Sequence, residues 1–335
     1  MTNYASAVRR ATMAAARLHR DLGSEAKLQR EGGNIDVFEV VARMRVPMLF
    51  RPLKSLLGAF LNNPAAGILV TTERPLSVQR FTAAHELGHF HLKHEPSLDD
   101  ETILRRSPFV SEPDYALQEV EADAFAIAFI MPRWLIAAHC ERQNWGSPDL
   151  RLAPVVYQLS LRIGASYEAT CWTLARYRFI STDLARKHAA VQPRRLKQAL
   201  LGDYRPENFR GDVWLLTERD AGASIAGSRA DQFILQLPEH SGGGYLWNID
   251  ELKERSFVVV RDEHEDVDAE GVGSHPTRRV TAESRARQAG TMHLLERRPW
   301  QPTKAINSFE LAYDLNGPET EGYSRPERRH LFEAA

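Results

Sequence analysis

The 335-residue sequence predicts an α+β protein: a largely helical first part that holds a small antiparallel sheet, followed by an all-β sandwich. Three patterns predict it. Residues 4–22 and 113–188 are rich in Ala, Leu and Arg, with apolar residues recurring at helical spacing. Residues 46–73 break into short β-branched and aromatic runs punctuated by Pro, Gly and Asn. Beyond residue 211 the apolar residues alternate or cluster over short spans separated by Gly, Pro, Asp and Ser.

Taken in order, residues 4–22 lack Pro and Gly and form a first helix ending at Gly23. Ile35, Phe38 and Val41, with Asp36 near the start, mark a second short helix. VPMLFRP, LLGAFLNN and AAGILVTTE supply about three antiparallel strands, and a helix follows that Ser77 caps and that stops before Pro96. After a polar stretch from 95 to 112, PDYALQEVEADAFAIAFIMP is another helix, closed by Pro132. Residues 134–188 are helical, with Trp134, Leu159, Trp172 and Tyr177 among the core. The polar segment 191–210, marked by Pro193 and Pro206, is a linker whose Arg194, Arg195 and Lys197 face solvent. Seven strand segments from DVWLLT to NSFELAYDLN make the sandwich over 211–316, and residues 317–335 form a polar, loosely held tail.

Composition excludes several classes. Charged residues are 26% of the chain and the net charge is −1, so the bulk balance advertises neither nucleic acid nor a membrane surface. Cys140 and Cys171 have no C-x-x-C partner, which removes a disulfide framework and a cysteine zinc knuckle. They are expected as core thiols in a reducing compartment. Arg9, Arg10, Arg17 and Arg20 interrupt the apolar core that a secretion signal needs, and no apolar run approaches the ~18 residues of a membrane span. These features are those of a cytoplasmic protein with no membrane partner.

The chemistry concentrates in FTAAHELGHFHLKH, residues 81–94. His85 and His89 are four apart and share one helical face, so both imidazoles can reach one ion, while Glu86 stands beside them for a carboxylate's work on bound water. With 12 His and 44 acidic residues, random order would produce such an H-E-x-x-H only about 0.06 times. The apolar flank of Phe81, Ala83, Ala84 and Leu87 indicates a buried helix, and Gly88 indicates something packed tightly on its backbone. A catalytic zinc takes three protein ligands, and QEVEADAFA offers the third. Glu119 and Asp123 are i and i+4 there, so Glu119 can coordinate while Asp123 accepts a ligand histidine's outer N–H. Glu121 falls on roughly the opposite side and is assigned to solvent; His91 and His94 are assigned to packing or solvent. His139, Tyr167 and Arg162 are candidate donors to a reaction oxyanion.

The combination RFTAAHELGHFHLKH followed by EVEADAFAIAFIMP resembles the ImmA/IrrE family of zinc metallopeptidases over roughly residues 30–185. The resemblance implies a zincin-like metallopeptidase core over 1–132 and a helix-turn-helix-like bundle over 133–190. It implies an enzyme of the H-E-x-x-H gluzincin type with one Zn2+ per chain on His85, His89 and Glu119, and Glu86 as general base. It also implies a protein substrate, since many members cleave or accompany a DNA-binding repressor that controls stress or mobile-element genes. The rival reading is a non-catalytic, zinc-stabilised regulator that binds a protein partner or DNA, as in a toxin–antitoxin or phage-defence pair.

Three loops punctuate the strand segments: HSGGGYLW (240–247), EGVGSHPTRR (270–279) and ERRPWQP (296–302). Three loops at one end of a sandwich make a protein-binding edge. This region resembles the chagasin-like family, immunoglobulin-like sandwiches that inhibit papain-like peptidases. The features carried over are Gly244, Tyr245 and Trp247 in the first loop and Arg298, Pro299 and Trp300 in the last. Where the family has N-P-T-T, this chain has His240, Ser241, Gly242 and Gly243, so the inhibitory tip is not carried over. The binding candidates are Tyr245, Trp247, Arg298 and Trp300, with substrate recruitment or cover of the zinc cleft as the sandwich's expected task.

Overall fold

A computed structural model describes residues 2–63, 65–100, 117–265 and 276–333, without the side chains of residues 2, 97–100 and 265. The chain opens with α1 (Thr2–Leu22), and Gly23, at φ 62, breaks it from α2 (Ser24–Glu31), a helix not expected from the sequence. Helix α3 (Val37–Arg43) starts where the Asp36 carboxylate accepts the Glu39 N–H at 3.0 Å. Strands β1 (Met48–Arg51), β2 (Leu56–Leu61) and β3 (Gly67–Thr71) follow, then α4 (Leu76–Leu92), β4 (Ser97–Asp100) and α5 (Leu117–Ile130).

The expected three-stranded antiparallel sheet is instead a mixed five-stranded one, ordered β13-β1-β3-β2-β4. Strands β2 and β3 form an antiparallel hairpin, but β1 runs parallel to β3. The fifth strand, β13 (Gly322–Tyr323), comes from the far end of the chain and pairs antiparallel with β1 at Leu49↔Tyr323. The segment expected to be a loose tail is therefore docked. Gln79 exchanges side-chain hydrogen bonds with the Glu319 backbone at 2.7 and 3.1 Å. The Glu327 carboxylate of α12 (Arg325–Glu333) accepts the Met48 N–H at 3.1 Å. Its polar residues satisfy buried backbone groups and the open edge of β1, which composition alone does not reveal.

Helices α6 (Arg133–Gln143), α7 (Ala153–Ile163), α8 (Tyr167–Arg176) and α9 (Thr182–Ala189) form the second helical group. The expected linker carries another helix, α10 (Pro193–Leu201). Pro193 sits in its first turn, where a missing N–H costs nothing, so a residue read as a breaker is a helix start. Lys197, expected in solvent, is buried, with Nζ 2.9 Å from Asp212 and 2.8 Å from the Gly211 carbonyl; Arg194 lies over the Phe209 ring.

The all-β part holds two four-stranded sheets among the described residues. One is β5-β7-β10-β9, from β5 (Val213–Thr217), β7 (Gln232–Pro238), β9 (Phe257–Glu265) and β10 (Thr277–Ser284). The other is β6-β12-β11-β8, from β6 (Ala223–Ala226), β8 (Leu246–Trp247), β11 (Ala289–Arg297) and β12 (Ala305–Asp314); the short α11 (Asp250–Glu254) precedes β9. Strand β6 is the one that the seven expected segments omit. The sheets meet through Phe257 against Tyr313, ring centroids 5.4 Å apart. Helix α7 covers the edge of β5: Gln158 donates to the Val213 carbonyl at 2.7 Å and accepts the Leu215 N–H at 2.9 Å. Beside it, Arg162 and Gln143 converge on the buried Asp220. No helix among the described residues is long and apolar enough to cross a membrane.

Candidate metal centre

Helix α4 is buried on nearly every side from Gln79 to His89, as suits a helix enclosed by the sheet and other helices. It starts one residue before the expected Ser77 cap, because Pro75 supplies the carbonyl that accepts the Val78 and Gln79 N–H groups at 3.0 Å. Gly88 sets its distance from α5. A Cβ there would lie 3.2 Å from Ala122 Cα and 3.2 Å from the Phe125 ring, so a larger residue would push the helices apart. Glu119, one turn before Ala122, is thereby held over the two histidines.

His85 Nε2 and His89 Nε2 are 3.0 Å apart, and the Glu119 carboxylate oxygens lie 3.4 Å from His85 Nε2 and 3.7 Å from His89 Nε2. Among the described residues this is the group of three that could hold a metal ion. The donor set fits zinc: ligand atoms at about 2.0–2.1 Å in a tetrahedron stand roughly 3.3 Å from one another, close to these edges, and a three-ligand site keeps a fourth position open. Both histidines are 0% exposed. Burial by itself would raise the Glu119 carboxyl, but the two imidazoles beside it hold it well below the usual carboxylate range.

The outer nitrogens of both rings have partners. Asp123 Oδ1 is 2.9 Å from His85 Nδ1. His89 Nδ1 is 3.0 Å from Nδ1 of His94, whose Nε2 is 3.0 Å from the Glu121 carboxylate. Glu121 also accepts both Nε (2.6 Å) and Nη2 of Arg10 on α1. Glu121, assigned to solvent, is instead 2% exposed, while His94, assigned to packing or solvent, packs against a candidate ligand. The reasons are physical. Helix α5 is covered on one side by α4 and on the other by α1, so its far side meets Arg10 rather than water. Lys93 ends α4 in the left-handed region (φ 59), and the His94 N–H returns to the His89 carbonyl at 2.9 Å, which folds the imidazole back over the helix end.

Burial pushes the His94 pKa down, so its neutral form dominates. With Nε2–H donating to Glu121, His94 Nδ1 accepts from His89 Nδ1–H, and this network leaves the His89 Nε2 lone pair directed at His85 and Glu119. His91 packs its ring 5.6 Å from Phe125.

Glu86 is 0% exposed and lies beneath β2. A Cβ on Gly58 would fall 2.5 Å from Glu86 Oε1 and 2.5 Å from Thr82 Cγ2, so the strand approaches this carboxylate as only glycine allows. The sequence signal was present in LLGAFL, a glycine inside a strand, but its partner was not legible.

The three candidate oxyanion donors are committed elsewhere. His139 Nε2 bonds the Gly33 carbonyl at 2.8 Å, the Tyr167 hydroxyl donates to the His188 carbonyl at 3.1 Å, and Arg162 pairs with Asp220. Cys140 and Cys171 are buried, which pushes their thiols up to about 11 and about 12. In the all-β part, the Arg298 guanidinium lies 4.5 Å from the Tyr245 ring centroid and donates to the Gly243 carbonyl at 3.0 Å. Trp300 is 66% exposed and rests on Gly244, where a Cβ would come within 2.7 Å of its ring. Trp247 is core instead: it is 6% exposed and its indole N–H donates to the Pro238 carbonyl at 2.8 Å. Residues 270–275 of the middle loop lie outside the described residues.

Comparison with known proteins agrees with the two sequence resemblances. Residues 46–175 match the family described as IrrE N-terminal-like domain, a peptidase family, and residues 228–313 match the chagasin family of peptidase inhibitors. No curated protein matches the chain. Among solved structures, the crystal structure of a cysteine protease inhibitor from Entamoeba histolytica aligns at 22% identity and a TM-score of 0.28, over 32% of this chain and 99% of that one. The solution structure of Amebosin aligns at 21% identity and a TM-score of 0.23, over 31% of this chain and 97% of that one.

Proposed function

We propose that the chain is a cytoplasmic zinc-dependent endopeptidase of the gluzincin type, with a zincin-like core over 1–132 and a helix-turn-helix-like bundle over 133–190. In this reading it cuts a specific protein, such as a helix-turn-helix repressor. The observation that carries the reading is the buried His85–His89–Glu119 triangle, whose donor atoms match the spacing of zinc ligands. The match of residues 46–175 to a peptidase family supports the same conclusion. Bound zinc would supply Lewis acidity to a water and to the scissile carbonyl. The chain's own groups do the rest. Glu86, held under Gly58, takes the proton of the attacking water and passes it to the departing amine. Asp123 and the His94–Glu121–Arg10 chain hold the two imidazoles in the tautomer that turns the Nε2 lone pairs towards a metal ion. The immunoglobulin-like sandwich over 211–316 recruits the substrate through Tyr245, Arg298 and Trp300.

The test is incubation of the full chain with candidate repressors, with and without chelator, beside Glu86→Gln. Cleavage should stop with chelator and fall about 10²–10⁴-fold in the variant while its zinc content stays that of the parent. Cleavage retained by Glu86→Gln would overturn the assigned base, and binding of repressor without any cleavage would overturn the enzyme.

A further inference from the structure

A cleft of about 650 Å³ lies away from the metal triangle, between the α2–α3 turn, the first half of α4, β6 and the C-terminal segment. Its inner wall carries Arg80, which is 8% exposed. That guanidinium makes one long hydrogen bond, Nη1 to the Gly164 carbonyl at 3.5 Å, and among the described residues no carboxylate stands within ion-pair distance of it. Arginine remains charged in a protein, so a buried fork with most of its donors unused is a costly arrangement unless an anion takes it. Burial depresses its pKa, which is the same cost seen from the proton's side.

Asp36, Asp314 and Glu319 favour the charge of Arg80 only from beyond bonding distance, and Glu31, also on the cleft wall, pairs with Arg30 at 2.8 Å. Asp36 caps α3, Asp314 accepts the Asn316 backbone and side-chain N–H groups at 2.9 and 2.8 Å, and Glu319 pairs with Arg325 at 3.0 Å. Two further cations on the cleft wall, Lys27 and Arg328, have no ion pair among the described residues, and Phe332, 82% exposed, stands on the same wall. We propose that the cleft binds a small phosphate ester of up to nucleotide size, its phosphate taken by the free edge of Arg80. Arg328 and Lys27 complete the charge of a dianion, for which Arg80 alone would be one short, and the Phe332 ring covers the organic part. The volume falls in the usual range for such ligands. The site does not depend on the peptidase reading.

The experiment is calorimetric titration of the 335-residue chain with adenosine 5′-monophosphate, inorganic phosphate and citrate. Saturable one-to-one binding of the two phosphates is expected, weakened about thirtyfold or more by Arg80→Lys, which keeps the charge and the stem but not the fork. The double variant Lys27→Ala/Arg328→Ala, altered only at half-buried or exposed positions, should fold and also bind more weakly, and it decides the matter if Arg80→Lys fails to fold. No binding of either phosphate at millimolar concentration, binding unchanged in the variants, or citrate preferred to both phosphates would each overturn the proposal.

Discussion

The His85–His89–Glu119 triangle of α4 and α5 and the aromatic loops of the sandwich are both built from polar and ring-bearing side chains, but they are held in different ways. In the first, His85 and His89 are fully buried and each outer nitrogen is fixed by a carboxylate or by His94. In the second, Trp300 is 66% exposed on Gly244, Arg298 stacks on Tyr245, and only Trp247 is enclosed. A reacting centre needs each ligand in one orientation and therefore a second layer of bonds behind it. A surface that captures a partner must leave area open, and of the two indoles Trp300 is exposed and Trp247 is not.

The largest effect that can break this contrast is at Trp247. If it is core rather than binding edge, Trp247→Ala should cost about 3–5 kcal/mol in urea unfolding, as other buried large-to-small changes do. A variant as stable as the parent would return Trp247 to the loop surface.

Next comes acidity. Burial drives His19 and His139 down to about 4 from an ordinary 6.5, so both stay neutral in the fold while the unfolded chain takes up protons below about 6.5. Their contribution is thus complete above pH 6.5 and lost as pH falls towards 4, at about 2 kcal/mol each by pH 5. Comparing urea midpoints at pH 7 and 5 measures it. His139→Gln, which keeps a donor for the Gly33 carbonyl, should flatten the dependence; an equal slope in parent and variant would contradict the assignment.

The metal triangle itself is sharpened by its outer layer. Asp123→Ala and His94→Ala should each lower zinc affinity about 10–100-fold, read by competition with a chelating dye, with little change in unfolding of the metal-free protein. Equal affinity in the His94 variant would reduce the His94–Glu121–Arg10 chain to packing. The smallest effect belongs to Trp300→Ala, which should move stability by less than about 0.5 kcal/mol while weakening capture of a cleaved substrate. A large loss of stability there would show that the loop is structural.

What the sequence by itself determined is whatever lies within a turn or two of one element. The four-residue spacings of His85 with His89 and of Glu119 with Asp123 follow from helical period alone, as does the alternation that separates the sandwich strands. Gly88 announced a close neighbour, and α5 is that neighbour. What only the tertiary structure decided is which surface covers each remaining face. Glu121 was read outward because it opposes Glu119 on the helix, yet Arg10 arrives from α1, more than a hundred residues earlier. His94 was read as packing or solvent, and it is one left-handed residue at Lys93 that selects packing, on His89. The last nineteen residues, 317–335, were read as loose on their polarity, yet β13 completes the edge of β1 and Glu319 answers Gln79. Periodicity assigns a side chain to a face, but the energy of placing a polar group there depends on the partner or the water that meets it, and that is set by chain segments far away in sequence.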